Sequence, residues 1–138
     1  MLIEWRDEWL VGEERIDADH LDMVLTINRL HGAVEDGEVN ESVAVILQSL
    51  LELTKEHFSY EECLMLVTGY PGAAGHQDEH LNLFSVANIM VYNMELADEE
   101  AVLDTVGFFE DLFIDHVESE DAPFGRFLAA RPKDAAGA

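Results

Sequence analysis

The chain of 138 residues has the length of one domain and can bury a core without disulfides or repeats. Hydrophobic residues make up 49% of it, so it is expected to fold despite 30 Asp and Glu residues against 7 Lys and Arg residues. The formal charge of -23 would repel nucleic-acid phosphates and anionic lipids, which argues against both as partners.

The N-terminal half contains an arm and two predicted helices. In the arm, residues 1–17, the apolar side chains of Trp5 and Trp9 are expected to pack across the outside of the helices that follow. The first helix is predicted over about residues 18–36, and its stripe of residues spaced three and four apart is His20, Val24, Ile27, Leu30, His31 and Val34. The second is predicted over about residues 41–67 with Asn40 as its cap, and its stripe is Val43, Leu47, Leu50, Thr54, His57, Glu61 and Leu64.

The C-terminal half contains two further predicted helices, which follow a turn at Gly69 to Gly72. The third helix is predicted over about residues 73–96, and its stripe is His76, His80, Leu83, Phe84, Ala87, Met90, Val91 and Met94. The fourth is predicted over about residues 99–118 with Asp98 as its cap, and its stripe is Val102, Val106, Phe109, Leu112, Phe113 and His116.

These segments predict an all-α fold. Alternation with a period of two is absent over any convincing length, so almost no strand is expected. Short connections make successive helices antiparallel, which predicts an up-down-up-down four-helix bundle in a single domain of residues 1–138. A short C-terminal helical segment should follow the fourth helix, and residues from about 131 to 138 should form a frayed tail.

Histidines and carboxylates fall on the core-facing stripes of all four helices. His57 and Glu61 are four residues apart, as are His76 and His80, so each pair points to one side of its helix. The full candidate set is His20, His57, Glu61, His76, His80, His116 and Asp121, the last lying where the fourth helix should end.

The rise of a helix tests whether these residues share one level. At 1.5 Å per residue, His20 lies ~25 Å from the far end of the first helix, and His57 lies ~24 Å back along the second. The same count for His80 and His116 also gives ~24 Å and ~25 Å, so all four helices deliver side chains to one layer. His31 lies ~16 Å along the axis from His20 and is assigned a structural role.

A metal centre is the interpretation that fits this layer. A single buried histidine is more often a hydrogen-bonded core residue, but five with two carboxylates would leave many polar atoms unsatisfied without a metal or a dense network. Seven ligands exceed what one ion takes, and imidazole with carboxylate suits iron better than a thiolate-rich zinc site. Ferritin-like di-iron proteins use Glu-x-x-His pairs, which do not occur in this sequence.

From Trp5 to Phe127 the sequence resembles the hemerythrins, and among them the single-domain bacterial type. The residues that carry the resemblance are Trp5, Val11-Gly12, Ile16-Asp17, His20, His57-Phe58-x-x-Glu61-Glu62, Tyr70-Pro71, His76-x-x-x-His80 and His116-x-x-x-x-Asp121. The resemblance implies that His76, His80 and His116 bind one iron, that His20 and His57 bind the other, and that Glu61 and Asp121 bridge both.

The resemblance also implies two Fe ions (Fe2+/Fe3+) joined by an oxo or hydroxo bridge, with no organic cofactor. Counting ligands around two octahedral ions then leaves one position open on the iron of His20 and His57, where dioxygen would bind. The residues expected to keep this position dry are Phe109, Leu112 and Phe113, for which ordinary core packing is the alternative. Asp19, Glu13 and the acidic surface depart from the usual pattern without touching a ligand position, and nearby negative charge is expected to favour autoxidation.

The leading hypothesis is reversible dioxygen binding for transport, storage or delivery, without enzymatic turnover, with an oxidase or a reductant as a candidate partner. Two alternatives stay open. One is a sensor or interaction module that responds to redox state, oxygen or iron. The other is a di-iron enzyme acting on peroxide or nitric oxide, although no extra general acid or base is evident beside the open position.

Compartment is indicated by cysteine usage and by the absence of targeting patterns. Cys63 is the one cysteine and cannot form an internal disulfide, which favours a reducing cytoplasm. No basic stretch precedes an apolar run at the N-terminus and no apolar stretch approaches ~18 residues, so neither export nor membrane insertion is expected. The spread acidity indicates a solvated shell suited to a salt-rich cytoplasm rather than a cation store.

Overall fold

Four long helices form the body of the protein. The computed structural model describes residues 3–37, 40–95 and 99–131. The four helices are α1, Glu14–Glu35; α2, Asn40–Thr68; α3, Ala73–Glu95; and α4, Glu99–His116. Helix α1 packs against α2 and α4, and α3 packs against the same two helices, so the four stand at the corners of a bundle. The predicted all-α class is confirmed, and the described residues contain no strand.

Helix α1 begins at Glu14 rather than at about residue 18, so the arm is shorter than predicted. The cause is a cap that the sequence pattern did not indicate. The Glu13 carboxylate accepts a hydrogen bond of 2.7 Å from the Ile16 backbone N–H, which satisfies one of the orphan donors of the first turn.

The N-terminal arm lies along α1. The Ile3 backbone N–H donates to the side-chain oxygen of Asn28 at 2.8 Å, and the Asn28 amide donates back to the Ile3 carbonyl at 2.9 Å. Trp5 and Trp9 meet edge to face with ring centroids 5.6 Å apart. Trp9 is buried within the main core instead of lying on the outside, which corrects the prediction for that residue.

The turn between α2 and α3 closes with a glycine in the left-handed region. Gly69 has φ +70°, a conformation that costs other residues a steric clash. Its N–H donates to the Leu66 carbonyl at 3.3 Å, and the Tyr70 N–H donates to the Met65 carbonyl at 3.0 Å, which is a Schellman motif. This turn fixes where α3 begins, and thereby the level of the histidines on α3.

The short C-terminal helical segment predicted to follow the fourth helix is confirmed, and the chain stays helical through the junction between the two helices. A π-helical turn, Val117–Asp121, leads into a fifth helix, α5, Ala122–Ala130. Helix α5 approaches the arm so closely that a Cβ on Gly125 would lie 2.6 Å from the Val11 carbonyl oxygen. Phe124 on α5 is fully buried against Ile16 and Met65, in a small core beside the main one.

The apolar stripes form the core as predicted. The main core includes the predicted stripe residues Val24, Ile27, Leu30, Val34, Val43, Leu47, Leu50, Leu83, Ala87, Val106, Phe109 and Phe113. The predicted cap Asp98 and the predicted tail beyond Arg131 lie outside the described residues. The side chains of the predicted cap Asn40 and of the predicted stripe residues Met90, Met94 and Val102 lie outside the described part as well. None of the helices described is long and apolar enough to cross a membrane.

Candidate metal centre

The structure brings all seven candidate residues into one layer of the bundle. Helix α1 supplies one, α2 and α3 supply two each, α4 supplies one at its last residue, and the π-helical turn supplies one. They are His20, His57, Glu61, His76, His80, His116 and Asp121, and each is between 0% and 3% exposed. Spacings of four residues on α2 and α3 place both members of a pair on the core face, which is why the pairs could be predicted.

The ligand atoms form two groups that share both carboxylates. One group contains atoms of Glu61, His76, His80, His116 and Asp121, all within 4.8 Å of one another. The other contains atoms of His20, His57, Glu61 and Asp121 within the same limit. The Nε2 atoms of His20 and His57 are 3.2 Å apart, so the rise count placed these two residues at the correct level.

Asp121 reaches the layer because of the π-helical turn. Asp121 lies five positions after His116, and a regular α-helix would place it about 140° around the axis from that histidine. The π-helical turn, closed by a bond from the Ala122 N–H to the Val117 carbonyl, returns Asp121 to the core face. Its Oδ1 lies 3.2 Å from His116 Nε2 and 2.8 Å from His76 Nε2.

Polar atoms at the centre of the layer lack hydrogen-bond partners among the described residues. They are both carboxylate oxygens of Glu61 and of Asp121, and the Nε2 atoms of His76, His80 and His116. Several of them approach one another at ion-pair distances, yet these contacts do not have hydrogen-bond geometry. Buried polar atoms without partners are costly, and cations coordinated by them would remove that cost. The donor set of imidazole nitrogens and carboxylate oxygens suits iron.

The two carboxylates are ionised at neutral pH. Burial and the nearby Asp121 raise the pKa of Glu61, but the rings of His57, His76 and His80 outweigh them and lower this pKa to about 2. Burial likewise raises the pKa of Asp121, and contacts with His116, His20 and His76 hold that pKa well below its usual value. The layer therefore requires positive charge, from ring protons or from metal ions.

Two of the rings hold protons strongly when no metal is present. Burial lowers the pKa of His57, but the carboxylates of Asp19 and Glu61 outweigh it and raise the pKa to about 9. Burial also lowers the pKa of His76, and Asp121 with Glu61 raises it to about 10. A metal ion must displace these protons to bind the ring nitrogens, so uptake of metal releases protons.

Two outer carboxylates contact the candidate ligands, and the sequence pattern did not indicate either contact. Asp19 Oδ2 accepts a hydrogen bond from His57 Nδ1 at 3.0 Å, and Glu62 Oε2 accepts one from His80 Nδ1 at 3.0 Å. Gln77 donates to Glu62 at 2.9 Å. The expectation that Asp19 touches no ligand position is therefore wrong, because Asp19 on α1 contacts the candidate ligand His57 on α2.

Aromatic rings surround the layer. Phe58 stacks on His80 with centroids 3.8 Å apart, Phe113 meets His20 edge-on at 5.9 Å, and Phe124 meets His76 edge-on at 6.2 Å. Of the three predicted lining residues only Phe113 has a ring contact with a candidate ligand, while Phe109 belongs to the main core and Leu112 packs against that core. Phe58 directly follows His57 in the sequence, and this adjacency was the available signal for it.

His31 lies outside both ligand groups, as the rise count predicted. Its Nδ1 is 2.8 Å from Glu110 Oε1, and its Nε2 is 2.6 Å from Glu35 Oε1. The contact with Glu110 joins α1 to α4, the contact with Glu35 lies within α1, and both agree with a structural role for His31.

Comparison with known proteins gives one consistent result. The family model of the hemerythrin HHE cation binding domain matches residues 11–128. The bacteriohemerythrin of Pseudomonas aeruginosa is 30% identical over 121 residues, which cover 87% of this chain and 77% of that protein. The myohemerythrin of Riftia pachyptila is 26% identical over 117 residues, which cover 85% of this chain and 86% of that protein.

A solved crystal structure of a leucine-to-phenylalanine mutant superposes on this fold with a TM-score of 0.83. It is 26% identical in sequence, and the match covers 94% of this chain and 98% of that chain. The family model, the relatives and the solved structure all match the part of the chain that forms the bundle and carries the two ligand groups. The chain belongs to the hemerythrin family.

Proposed function

We propose that this protein binds dioxygen reversibly at a non-haem pair of irons joined by an oxo or hydroxo bridge. His76, His80 and His116 would hold one ion, and His20 and His57 would hold the other. Glu61 and Asp121 would bridge the two. The cation-binding family model and the names of the bacteriohemerythrin and myohemerythrin relatives support this proposal.

The observation that carries the proposal is the sharing of both carboxylates by two unequal ligand groups. One group offers three imidazoles and the other offers two, with Glu61 and Asp121 common to both. Two octahedral ions would therefore have one protein ligand fewer on the side of His20 and His57. When bound, a diferrous pair supplies the two electrons and the open coordination position that dioxygen requires.

The chain's own residues would make the binding reversible. Phe58, Phe113 and Phe124 contact ligand rings and exclude water from the layer. A dry, apolar surrounding slows the escape of charged species and so limits irreversible oxidation. Carboxylate contacts at Nδ1 of His57 and His80 hold those rings with Nε2 turned toward the centre.

Metal analysis and an optical titration test the proposal. Protein purified without chelator should contain about two irons per chain, the number that two ligand groups require. The reduced protein should develop a charge-transfer absorption band on exposure to air and lose the band when oxygen is removed. A chain without iron, or a reduced protein whose spectrum does not respond to oxygen, would contradict the proposal.

The biological role proposed is storage or delivery of dioxygen in the cytoplasm, with an oxidase or a reductant as partner. Binding without turnover distinguishes this role from that of a di-iron enzyme. Steady-state consumption of peroxide or nitric oxide well above the background of free iron would favour the enzyme. Capture of a protein only by one oxidation state of this chain would favour a sensor.

A further inference from the structure

Two departures from the usual family pattern, Glu13 and Asp19, belong to one network that runs from the surface to a candidate ligand. Asp19 accepts the hydrogen bond from His57 Nδ1, on the side of the ring opposite the metal-facing Nε2. Arg15 Nε lies 3.7 Å from the same Asp19 oxygen, one helical turn before it on α1. A cation at the surface is thus two contacts away from His57.

The position of Arg15 is itself fixed by neighbours. Its guanidinium lies over the ring of Tyr60, 4.3 Å from the ring centroid, a cation–π contact. The Tyr60 hydroxyl donates to Glu13 at 2.7 Å, and the same carboxylate caps α1 through the Ile16 N–H. Helices α1 and α2 therefore hold Arg15 beside Asp19, although its side chain is 53% exposed.

The arrangement around His57 differs from that around the other four rings. Nδ1 of His20, His76 and His116 has no hydrogen-bond partner among the described residues. His80 has the carboxylate of Glu62, whose neighbour is the neutral amide of Gln77. Among the described residues, an arginine lies within ion-pair distance of Asp19 but none lies within that distance of Glu62.

We propose that Asp19 is a positioning residue that sets the reduction potential of the iron held by His57, and that Arg15 partly offsets its effect. The inference rests on the proposed function. A carboxylate that accepts the Nδ1–H of a ligating histidine fixes its tautomer and makes Nε2 a stronger donor. One-electron reduction of Fe3+ to Fe2+ removes a positive charge from the site, so a stronger, more anionic donor disfavours it.

The test is an anaerobic potentiometric titration of the iron-loaded protein at neutral pH, followed by optical absorption. Asp19→Asn keeps an oxygen acceptor but removes the charge, and should favour Fe2+ about tenfold, an upward shift of about 59 mV for one electron. Asp19→Glu should restore the potential of the unmodified chain. Asp22→Asn removes a charge from the exposed surface of the same helix and should leave the potential nearly unchanged.

Arg15→Gln supplies a change of opposite sign. Loss of the cation leaves the Asp19 charge without its counter-charge, so the reduction potential of the iron should fall. The fall should be smaller than the rise caused by Asp19→Asn, because the ion pair between Arg15 and Asp19 is partly exposed. Arg29→Gln is the matched control, since Arg29 is exposed on the same helix. General loosening of the site would move both variants in one direction, so opposite shifts exclude it.

Iron content and helix content of each variant are measured first. If the variants hold iron and their reduction potentials do not differ from those of their controls, the inference is overturned and the proposed function stands. If Asp19→Asn fails to fold, Arg15→Gln and its control decide. An unmodified chain that holds no iron contradicts the proposed function, and the inference with it.

Discussion

At the scale of single residues, histidines in the same bundle have different tasks according to what surrounds them. The five candidate ligands are surrounded by one another and by two shared carboxylates, whereas His31 is held between Glu110 and Glu35. The distinction follows from position along α1, because residues eleven apart lie ~16 Å from each other along the axis. Substitutions at these two kinds of histidine should therefore have separable effects.

His31→Ala should destabilise the protein without changing its iron content. Glu110 is only 7% exposed, and it would lose its histidine partner inside the bundle. Loss of a partner by a buried polar group costs about 1–3 kcal/mol. Denaturant titration with metal analysis measures both quantities.

Glu35→Gln is the matched control, because Glu35 is 57% exposed and its contact with His31 should contribute about 0–1 kcal/mol. Loss of iron from His31→Ala would mean that this residue supports the metal layer directly.

The raised pKa values of His57 and His76 predict how pH acts on the metal-free protein. Both pKa values lie above the usual 6.5, at about 9 and about 10, so the folded state binds these protons more tightly than the unfolded state does. The resulting stability is fully present below pH 6.5 and is lost as pH rises through about 9 to about 10. The lowered pKa of Glu61 acts oppositely, with stability present above 4.5 and lost toward about 2.

Denaturant midpoints of metal-free and iron-loaded protein at about pH 6 and about pH 9.5 check this. The metal-free midpoint should fall between the two pH values. The loaded midpoint should change less, because its rings carry metal instead of protons. A metal-free midpoint that stays constant or rises would contradict the assignment.

At the scale of elements, the features that could be predicted from the sequence were those that repeat with the period of a helix. The stripes of α1 to α4 and the pairs His57 with Glu61 and His76 with His80 all follow that period. The structure places both pairs, and most of the stripe side chains that it describes, on the core face. Contacts that depend on a neighbouring helix were not predictable, such as Asp19 on His57. The helical setting of Asp121 was missed because a π-helical turn has no periodic signature.

The π-helical turn predicts different results for insertion and deletion after α4. Insertion of one alanine after the exposed Ser119 should rotate Asp121 by about 100° about the axis, and iron should be lost to a chelator about tenfold faster or more. Deletion of Ser119 leaves the histidine and the aspartate four residues apart on a regular helix, still on one face. The deletion variant should therefore retain its iron.

Rates of iron transfer to a chelator distinguish the two variants. Ser119→Ala serves as the control, since it removes only the bond from this hydroxyl to the Asp115 carbonyl. Equal losses from the insertion and the deletion would show that helical phase does not determine the position of Asp121.

At the scale of the whole molecule, the net charge of -23 opposes folding through mutual repulsion. Seven Lys and Arg residues cannot balance thirty carboxylates, whatever their arrangement. The Debye length falls from about 30 Å at 0.01 M salt to about 3 Å at 1 M, so most of the repulsion should disappear over that range.

The free energy of unfolding should therefore rise with the concentration of a monovalent chloride salt. Urea titrations at low and high salt measure it, and an uncharged osmolyte of equal osmolarity serves as the control for effects other than screening. A stability that is the same at both salt concentrations would mean that repulsion among the carboxylates is already relieved in the folded protein.

The layer of ligands joins parts of the chain that are remote in sequence. His20 lies near the start of α1 and Asp121 lies near the end of the chain, and both contribute to one group of ligand atoms. A metal held there acts as a cross-link that closes a loop of about 100 residues, a size for which covalent closure restricts the unfolded chain by about 4.7 kcal/mol. Amide hydrogen exchange on loaded protein should thus be slowest around the metal layer, and the bundle should open first at the opposite end.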